Sequence, residues 1–169
     1  MISYATAMPR VASLAAAIVL TSSIAGAQAA PMKMDKMEMK QDAIAKMPWA
    51  PGPDFLPKGA QMHVVSGNPG AAGPFVLHLM FPNGYAIKPH SHPTDEHVKV
   101  VAGTLHYGMG DKMERKGMQA VKKGEENNFP AKMNHYVAAR GRTVVEVAST
   151  GPFQITYVNA KDDPRGMKK

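Results

Sequence analysis

Glycine and proline interrupt this chain so often that long helices are excluded from most of it. The 169 residues include 15 glycines and 14 prolines. They gather between short apolar runs, for example at residues 67–70, 82–84 and 151–152, and such clusters mark turns. Short strands that recur about every 8–12 residues between turns are typical of a β-sandwich or a closed barrel. We therefore predict an all-β domain.

The predicted strands share apolar, β-branched or aromatic side chains bounded by these turns. They are residues 61–65, 75–81, 97–101, 104–109, 118–121, 127–129, 135–139, 143–149 and 154–158. Among the breaks that we expect are those at Ala102-Gly103 and at Arg140-Gly141-Arg142. Since 44% of the residues are hydrophobic, the chain can bury a core, and its length suits one domain.

The first 29 residues have the pattern of a secretory signal peptide. Arg10 precedes an apolar run over residues 11–20, and small residues follow, with A-x-A sites that end at Ala27 and Ala29. A membrane anchor would need about 20 apolar residues, twice the length of this run. We expect cleavage after Ala29 and a periplasmic or secreted protein with no membrane attachment after cleavage.

A methionine-rich leader is predicted at residues 30–47, before a domain at 48–160 and a polar C-terminal tail at 161–169. The leader's methionines are Met32, Met34, Met37, Met39 and Met47. Thioethers suit Cu(I), so one interpretation is a copper site. The other is a solvated leader, flexible or loosely helical, because the segment is charged and lacks aromatic residues.

Composition excludes several classes of function. The chain has no cysteine, which rules out disulfides, thiolate metal sites and cysteine nucleophiles. The formal charge of +7 permits anionic partners. However, the basic clusters at Lys122-Lys123 and at Arg140 and Arg142 have no interleaved aromatic residues, so we predict no nucleic-acid binding.

The residues with metal-binding chemistry are concentrated at His90, His92, Glu96 and His135. Residues two apart on a strand face the same side, so His90 and His92 project together, and a bend after Pro93 can return Glu96 to the same space. Imidazole and carboxylate ligands together suit Mn, Fe, Ni, Cu or Zn. A His-x-His pair taken alone is also compatible with a surface strand.

The wider spacing around these residues resembles the first sequence motif of the cupin superfamily. In that motif a glycine, two histidines, a glutamate and a second glycine stand at fixed intervals. They match here at Gly84, His90, His92, Glu96 and Gly103.

A second cupin motif begins 21 positions after Gly103. Gly124, Pro130 and His135 match it, whereas Lys132 and Ala139 replace a glycine and an asparagine. The first of these replacements puts the turn geometry in question. The resemblance covers residues 49–159, and small secreted bacterial cupins of unassigned function are also similar at residues 151–153 and 155–159.

The resemblance implies a double-stranded β-helix, also called a cupin jelly-roll barrel, as a single domain after the signal peptide. It implies that His90, His92, Glu96 and His135 hold one divalent metal ion inside the barrel. Three neutral imidazoles and one carboxylate would leave a net charge of +1 with the metal, which favours anionic or polarisable ligands. Four protein ligands would leave two positions of an octahedral metal open.

Three functions remain open at this point. The first is a metal-dependent, dioxygenase-like oxidoreductase or a related enzyme that acts on a small organic molecule, with Glu96 as a ligand and a possible base. The second is a non-catalytic module that binds or senses a small ligand or a metal. The third is a structural cupin without metal, which fits less well because all four ligand positions are kept. The resemblance also suggests a homodimer that uses the segment at residues 47–65.

The remaining histidines are expected to play structural or surface roles. His97 follows Glu96 directly and is expected to face the opposite side of its strand. If His78 points outward, its neighbours Leu77 and Leu79 point inward.

Overall fold

The computed structural model describes residues 41–167, which form nine strands, one short α-helix and two 3₁₀-helices. Helix α1 spans Gln41–Ala45. The strands are β1 Ala50–Pro51, β2 Gln61–Ser66, β3 Gly73–Phe81, β4 Ala86–Ser91, β5 Glu96–Met109, β6 Gln119–Lys122, β7 Glu126–Phe129, β8 His135–Gly151 and β9 Thr156–Tyr157. The predicted signal peptide at residues 1–29 and most of the predicted leader lie outside the described residues.

Strand β8 lies at the centre of the fold, and all strand pairings are antiparallel. Along one side it pairs first with β4 and then with β3, and along the other it pairs with β5 over almost its whole length. Strand β5 in turn pairs with β6 and β7 on its far side. This arrangement curls the strands into the predicted jelly-roll barrel.

Two of the predicted breaks are wrong, because the strands bend there instead of ending. Strand β5 continues through Gly103 and β8 continues through Gly141, and the pairing of β5 with β8 shifts register beside Gly103. Both glycines have positive φ values, 78° and 73°. A glycine in this conformation absorbs the extra residue of a β-bulge and bends the strand, so the strand turns the corner of the barrel.

Strand β4, which carries the first histidine of the candidate site, is missing from the predicted strands. It contains Pro89, and proline argues against a strand because it lacks an N–H group. The structure accommodates it with an irregularity in the pairing to β8. Ile87 pairs with Val137 and His90 pairs with His135, and the two residues between them have no ladder partner. Pro89 therefore lies where the ladder needs no N–H donor.

The main core fills the barrel. Its members come from alternate positions on facing strands, so the opposite positions face outward. Leu77 and Val100 have no solvent exposure, and Val147 and Phe129 have 1%. Burying a side chain of this kind contributes roughly 1.5–3 kcal/mol to stability.

The last part of the predicted leader packs on the outer face of the barrel. Ile44 of α1 is 3% exposed and lies against Ala102 and Val144. The indole N–H of Trp49 donates a hydrogen bond to the carbonyl of Ile44 at 2.9 Å. An apolar patch on the outer sheet surface thus orders residues that polarity alone predicted to be loose.

The predicted tail also has local structure, in two 3₁₀-helices at Ala160–Asp162 and Pro164–Met167. Arg165 pairs with Asp163 at 2.7 Å and donates a hydrogen bond to the carbonyl of Ile155 at 3.1 Å. Among residues 41–167, no helix has the length and apolar character needed to cross a membrane.

Candidate metal centre

Two of the candidate ligands come from the end of β4. His90 lies in β4 and His92 directly follows the strand, so their side chains project to the same side of the chain. They are 2% and 5% exposed. His90 Nδ1 lies 2.7 Å from the carbonyl oxygen of Lys88, and His92 Nδ1 lies 2.7 Å from that of Gln154. Each imidazole is thus held by a backbone acceptor.

His135, the first residue of β8, completes a group of three imidazoles. It pairs with His90 across the sheet, and the two ring centroids are 4.3 Å apart. Its Nδ1 lies 3.1 Å from the carbonyl oxygen of Met133. One ring nitrogen from each of the three histidines lies within 4.8 Å of the others. The three rings could therefore hold a single metal ion.

The backbone contacts determine which ring nitrogens face this space. A carbonyl oxygen only accepts hydrogen bonds, so each Nδ1 carries the hydrogen and each Nε2 presents a lone pair. The Nε2 atoms of His92 and His135 are buried and have no hydrogen-bond partner. Buried polar atoms are rarely left unpaired, and a bound metal ion would satisfy both.

Glu96 faces the same space from the first position of β5. Its Oε2 atom lies 3.4 Å from His92 Nε2 and 3.5 Å from His135 Nε2. With the hydrogens on Nδ1, lone pairs and a carboxylate face one another at these distances. A cation between them would turn this repulsion into attraction. The donor set therefore fits a metal ion.

The protonation states suit metal binding as well. Burial, together with the neighbouring His135 and His92, lowers the pKa of His90 to about 3. Burial raises the pKa of Glu96, whereas positive charge at His92, His135 and His90, as a proton or a bound cation would supply, outweighs it and lowers that pKa to about 2. At neutral pH the site thus contains a neutral His90 and an ionised Glu96, as metal ligation requires.

The turn before His135 is bonded to the segment that carries His92 and Glu96. The N–H of Lys132 donates to the carbonyl of His92 at 2.8 Å, and the N–H of Ala131 donates to Asp95 Oδ1 at 2.7 Å. Lys132 has a φ of 63°, the conformation that a glycine would adopt most easily. The turn thus keeps its geometry although lysine replaces the glycine of the cupin motif.

A small cavity of about 30 Å³ adjoins these four side chains, far below the range of ordinary small-molecule sites. Apart from the four, the residues that line it are apolar. They are Leu56, Leu79, Phe81, Ile87, Val98, Leu105, Phe129, Val137, Val145, Val147, Phe153 and Ile155. Among the described residues, no other side chain of this lining can donate, accept or transfer a proton.

Known structures share this architecture. A polyketide cyclase, RemF, from Streptomyces resistomycificus superposes with a TM-score of 0.58 at 17% identity, covering 75% of this chain and 89% of that one. A cupin 2 domain-containing protein from Halorhodospira halophila gives a TM-score of 0.51 at 15% identity, covering 62% and 73%. The chain has the cupin fold.

A third structure, a proposed acetylacetone dioxygenase from Methylibium petroleiphilum PM1, gives a TM-score of 0.55 at 17% identity, covering 75% of this chain and 84% of that one. No family model and no curated protein matches the sequence. At these identities the comparisons establish the cupin fold and leave the activity open.

Aromatic rings beside the ligands were not identified from the sequence. Phe129 stacks on His135 with ring centroids 4.1 Å apart, and Phe153 stacks on His92 at 5.1 Å. Phe129 directly precedes the proline of the second cupin motif, which could have drawn attention to it. The carbonyl of Gln154 has no sequence signal, because any residue can supply a backbone acceptor.

Two of the other histidines, His78 and His97, take the expected positions. His97 faces outward, where its side chain is 46% exposed and lies 3.7 Å from Glu126. His78 also lies on the outer face, since Leu77 and Leu79 point into the core. It is nevertheless 3% exposed and contacts Glu146 at 3.2 Å, stacked beside His63. Both histidines therefore lie outside the candidate metal centre.

Proposed function

We propose that this chain binds one divalent transition-metal ion through His90, His92, Glu96 and His135, and uses it as an oxygenase or related enzyme that acts on a small organic molecule. The observation that carries this proposal is the composition of the cavity. Apart from the four ligands its lining is apolar. A reaction in this cavity would therefore depend on the metal rather than on a separate acid or base.

The side chains of the site have distinct roles in this proposal. Three backbone carbonyls hold the imidazoles with Nε2 aimed inward, which orients the ligands before metal arrives. The apolar wall excludes bulk water and strengthens electrostatic interactions inside the cavity. When bound, the metal supplies a Lewis-acidic and, for Fe, Mn, Ni or Cu, redox-active centre with positions open to oxygen or substrate. We assign Glu96 the role of a ligand rather than of a base.

The donor set limits the metal to a few transition ions but does not identify one of them. Three imidazole nitrogens and one carboxylate oxygen suit Fe, Mn, Ni, Cu and Zn. If the bound metal is zinc, the proposed activity becomes hydrolysis or isomerisation, or the metal has a structural role, because zinc has no redox chemistry.

A non-catalytic module that binds or senses a metal or a small ligand is the alternative. One observation favours it: the cavity beside the four ligands, about 30 Å³, is far smaller than ordinary small-molecule sites. Catalysis on an organic molecule would thus require a side chain of the lining to move.

Export is part of the proposal and rests on the pattern of residues 1–29. Cleavage after Ala29 would give a mature chain that begins at Ala30, in the periplasm or outside the cell. N-terminal sequencing of the protein from the extracytoplasmic fraction tests this. An intact Met1 in the cytoplasmic fraction would contradict it.

A homodimer is proposed through strand β2. Strand β1 pairs only with Gln61 and Met62, which leaves the rest of that edge of β2 without a strand partner in residues 41–167. Val64 and Val65 on this edge are 36% and 48% exposed, and exposed apolar edges favour pairing with another chain. Light scattering that gives the mass of a single chain would contradict the dimer.

The experiment that tests the metal site is metal analysis by plasma mass spectrometry on the protein purified from its native compartment. We expect about one metal ion per chain, lost in a His90→Ala/His135→Ala double variant and kept in His97→Ala, the matched control on the outer face. No stoichiometric metal in the unmodified protein would refute the site.

The enzyme proposal has a further test in oxygen uptake by the metal-loaded protein over a panel of enolates, phenols and diketones. Uptake that disappears in Glu96→Gln would support an enzyme and refute the non-catalytic alternative. If the loaded protein consumes no oxygen and alters no compound of the panel, the enzyme proposal fails.

A further inference from the structure

Leu56 separates two spaces in this fold. On its inner side it lines the small cavity beside the candidate metal ligands. On its outer side it lines an open groove of about 720 Å³. Among the residues that the structure describes, no other residue lines both. Leu56 is 6% exposed, so a buried residue stands between the two spaces.

The backbone on both sides of Leu56 is fixed by tyrosine hydroxyls from within the domain. Tyr157 donates to the carbonyl of Phe55 at 2.8 Å, and Tyr85 donates to the carbonyl of Pro57 at 2.5 Å. The N–H of Leu56 itself donates to the carbonyl of Pro53 at 3.0 Å. With the backbone held at three points, the passage opens most easily by rotation of the leucine side chain.

The groove has the size and the chemistry of a vestibule for a small molecule. Its volume is within the range of small-molecule sites, whereas the inner cavity is far below it. Much of its wall is proline and glycine, and its charged residues are Asp54, Lys58 and Arg165. The guanidinium of Arg165 already pairs with Asp163. Little charge is therefore left uncompensated to select an ion.

We propose that this groove is the entrance to the metal cavity and that Leu56 is the barrier a ligand must displace. The inference rests on the proposed function, because it concerns how a ligand reaches that metal. Rotation of one leucine frees a space of about the size of its own side chain. The barrier thus selects ligands whose metal-binding end is small and no bulkier than an isobutyl group.

The test that needs no metal is chemical modification of the buried imidazoles. Diethyl pyrocarbonate acylates unprotonated imidazole nitrogen, and peptide mass spectrometry gives the rate at each histidine. Leu79→Ala is the matched control, because Leu79 is 3% exposed and lines the same cavity but not the groove. Exposed His97 calibrates the reagent in every variant.

We expect Leu56→Ala to raise the rates at His92 and His135 by about tenfold or more, since reaction at a buried group follows the population of open states. Leu79→Ala is expected to change them by less than about twofold. Leu56→Val, a milder change, is expected to act in the same direction. The free energy of unfolding of each variant, measured with denaturant, shows whether its modification rate follows global stability instead.

Three results would overturn the inference. One is an equal increase in Leu56→Ala and Leu79→Ala, which would show that cavity size or lost stability controls access. Another is that the modification rates at His92 and His135 do not increase in Leu56→Ala or Leu56→Val. The third is an increase in Phe153→Ala alone, which would place the route on the other side of His92.

A second measurement uses cobalt(II)-loaded protein and its visible spectrum. Azide is expected to perturb the spectrum of the unmodified protein, and 4-phenylimidazole only that of Leu56→Ala. Binding of 4-phenylimidazole to the unmodified protein would contradict the size limit. If cobalt does not bind at all, the proposed metal function fails, and the modification rates still decide the entrance.

Discussion

The ring of Phe129 lies against the imidazole of His135, with centroids 4.1 Å apart and planes inclined by 13°. Phe129 is 1% exposed and pairs with Glu96 where β7 meets β5. Phe129 therefore contacts one candidate ligand, His135, through its ring and is paired in the sheet with a second, Glu96.

Replacement of Phe129 is expected to damage both the fold and the metal site. Phe129→Ala leaves a cavity and is expected to lower the free energy of unfolding by about 3–5 kcal/mol. Loss of the support for His135 is expected to weaken metal binding about 10–100-fold. Urea unfolding and metal competition measure the two effects.

Phe129→Leu is the control for this prediction, since it keeps most of the volume but not the flat stacking surface. We expect it to keep more of the stability than Phe129→Ala while metal binding is still weakened. Full metal affinity in Phe129→Ala would show that the stacking does not position His135.

The three site histidines are expected to share one tautomer in the metal-free protein at neutral pH. Each Nδ1 faces a backbone carbonyl, so His90, His92 and His135 carry their hydrogens on Nδ1. Long-range ¹H–¹⁵N correlation spectra distinguish the two tautomers. An Nε2–H form at any of the three would contradict the assignment of the inward lone pairs.

Two motif glycines are expected to respond differently to substitution by alanine. Gly84 and Gly103 both have a φ of 78°. An added Cβ at Gly84 meets nothing within 4 Å, but at Gly103 it lies 2.5 Å from the carbonyl oxygen of Arg142. We expect Gly84→Ala to cost about 1 kcal/mol from backbone strain and Gly103→Ala at least about 2 kcal/mol because of the clash. Equal losses of stability in the two variants, measured by urea unfolding, would show that the clash at Gly103 has no effect.

Lys132 is expected to be a site where a substitution stabilises the protein. Its φ of 63° costs a residue with a Cβ about 1 kcal/mol relative to glycine. Lys132→Gly is expected to gain up to about 1 kcal/mol, less the entropy that glycine loses on folding. The hydrogen bond from its N–H to His92 is kept. A clear loss of stability in calorimetry would show that the lysine side chain contributes more than the strain costs.

The outer-face pair of His78 and Glu146 is expected to make stability depend on pH. Their hydrogen bond, opposed in part by burial, lowers the pKa of Glu146 below its ordinary 4.5. A carboxyl whose pKa is lowered by folding stabilises the fold above its unfolded pKa, and this contribution is lost as pH falls through the folded pKa. Glu146→Gln is expected to cost up to about 1 kcal/mol near pH 6, because the group is a third exposed, and less towards pH 3.

Glu126→Gln serves as the control for this pH dependence. Glu126 faces His97 at 3.7 Å, but its side chain is 60% exposed, so we expect a change below about 0.5 kcal/mol at every pH. A loss in Glu146→Gln that stays constant from pH 6 to pH 3 would contradict an ionic contribution.

Much of the candidate site could be predicted from the sequence because its spacing is local. His90 and His92 project together by strand alternation, and Glu96 follows after one bend. The fold class was also predictable, since recurrent turns between apolar runs leave few alternatives to a closed β-structure. The copper hypothesis for the methionine-rich leader stays a prediction, because residues 32–39 lie outside the described part of the chain.

Strand continuity was not predictable in the same way. Gly103 and Pro89 both argue for a break when they are read locally. In the fold, a bulge absorbs the glycine and an unpaired stretch of the ladder tolerates the proline. Pairing with distant residues of β8 thus overrides local propensity.

By itself the sequence determined the β-architecture from recurrent turns, and its short-range spacing singled out His90, His92 and Glu96. The resemblance to the cupin motifs added His135, 39 positions after Glu96, to this set. Only the tertiary structure decided how these candidate ligands are oriented and enclosed. The acceptor of His92 is the carbonyl of Gln154, 62 positions away, and the barrier at Leu56 depends on Tyr157, far along the chain. Any residue can supply a backbone carbonyl, and many can supply a packing contact, so the residue types do not reveal these partners. Their placement follows from closure of the barrel.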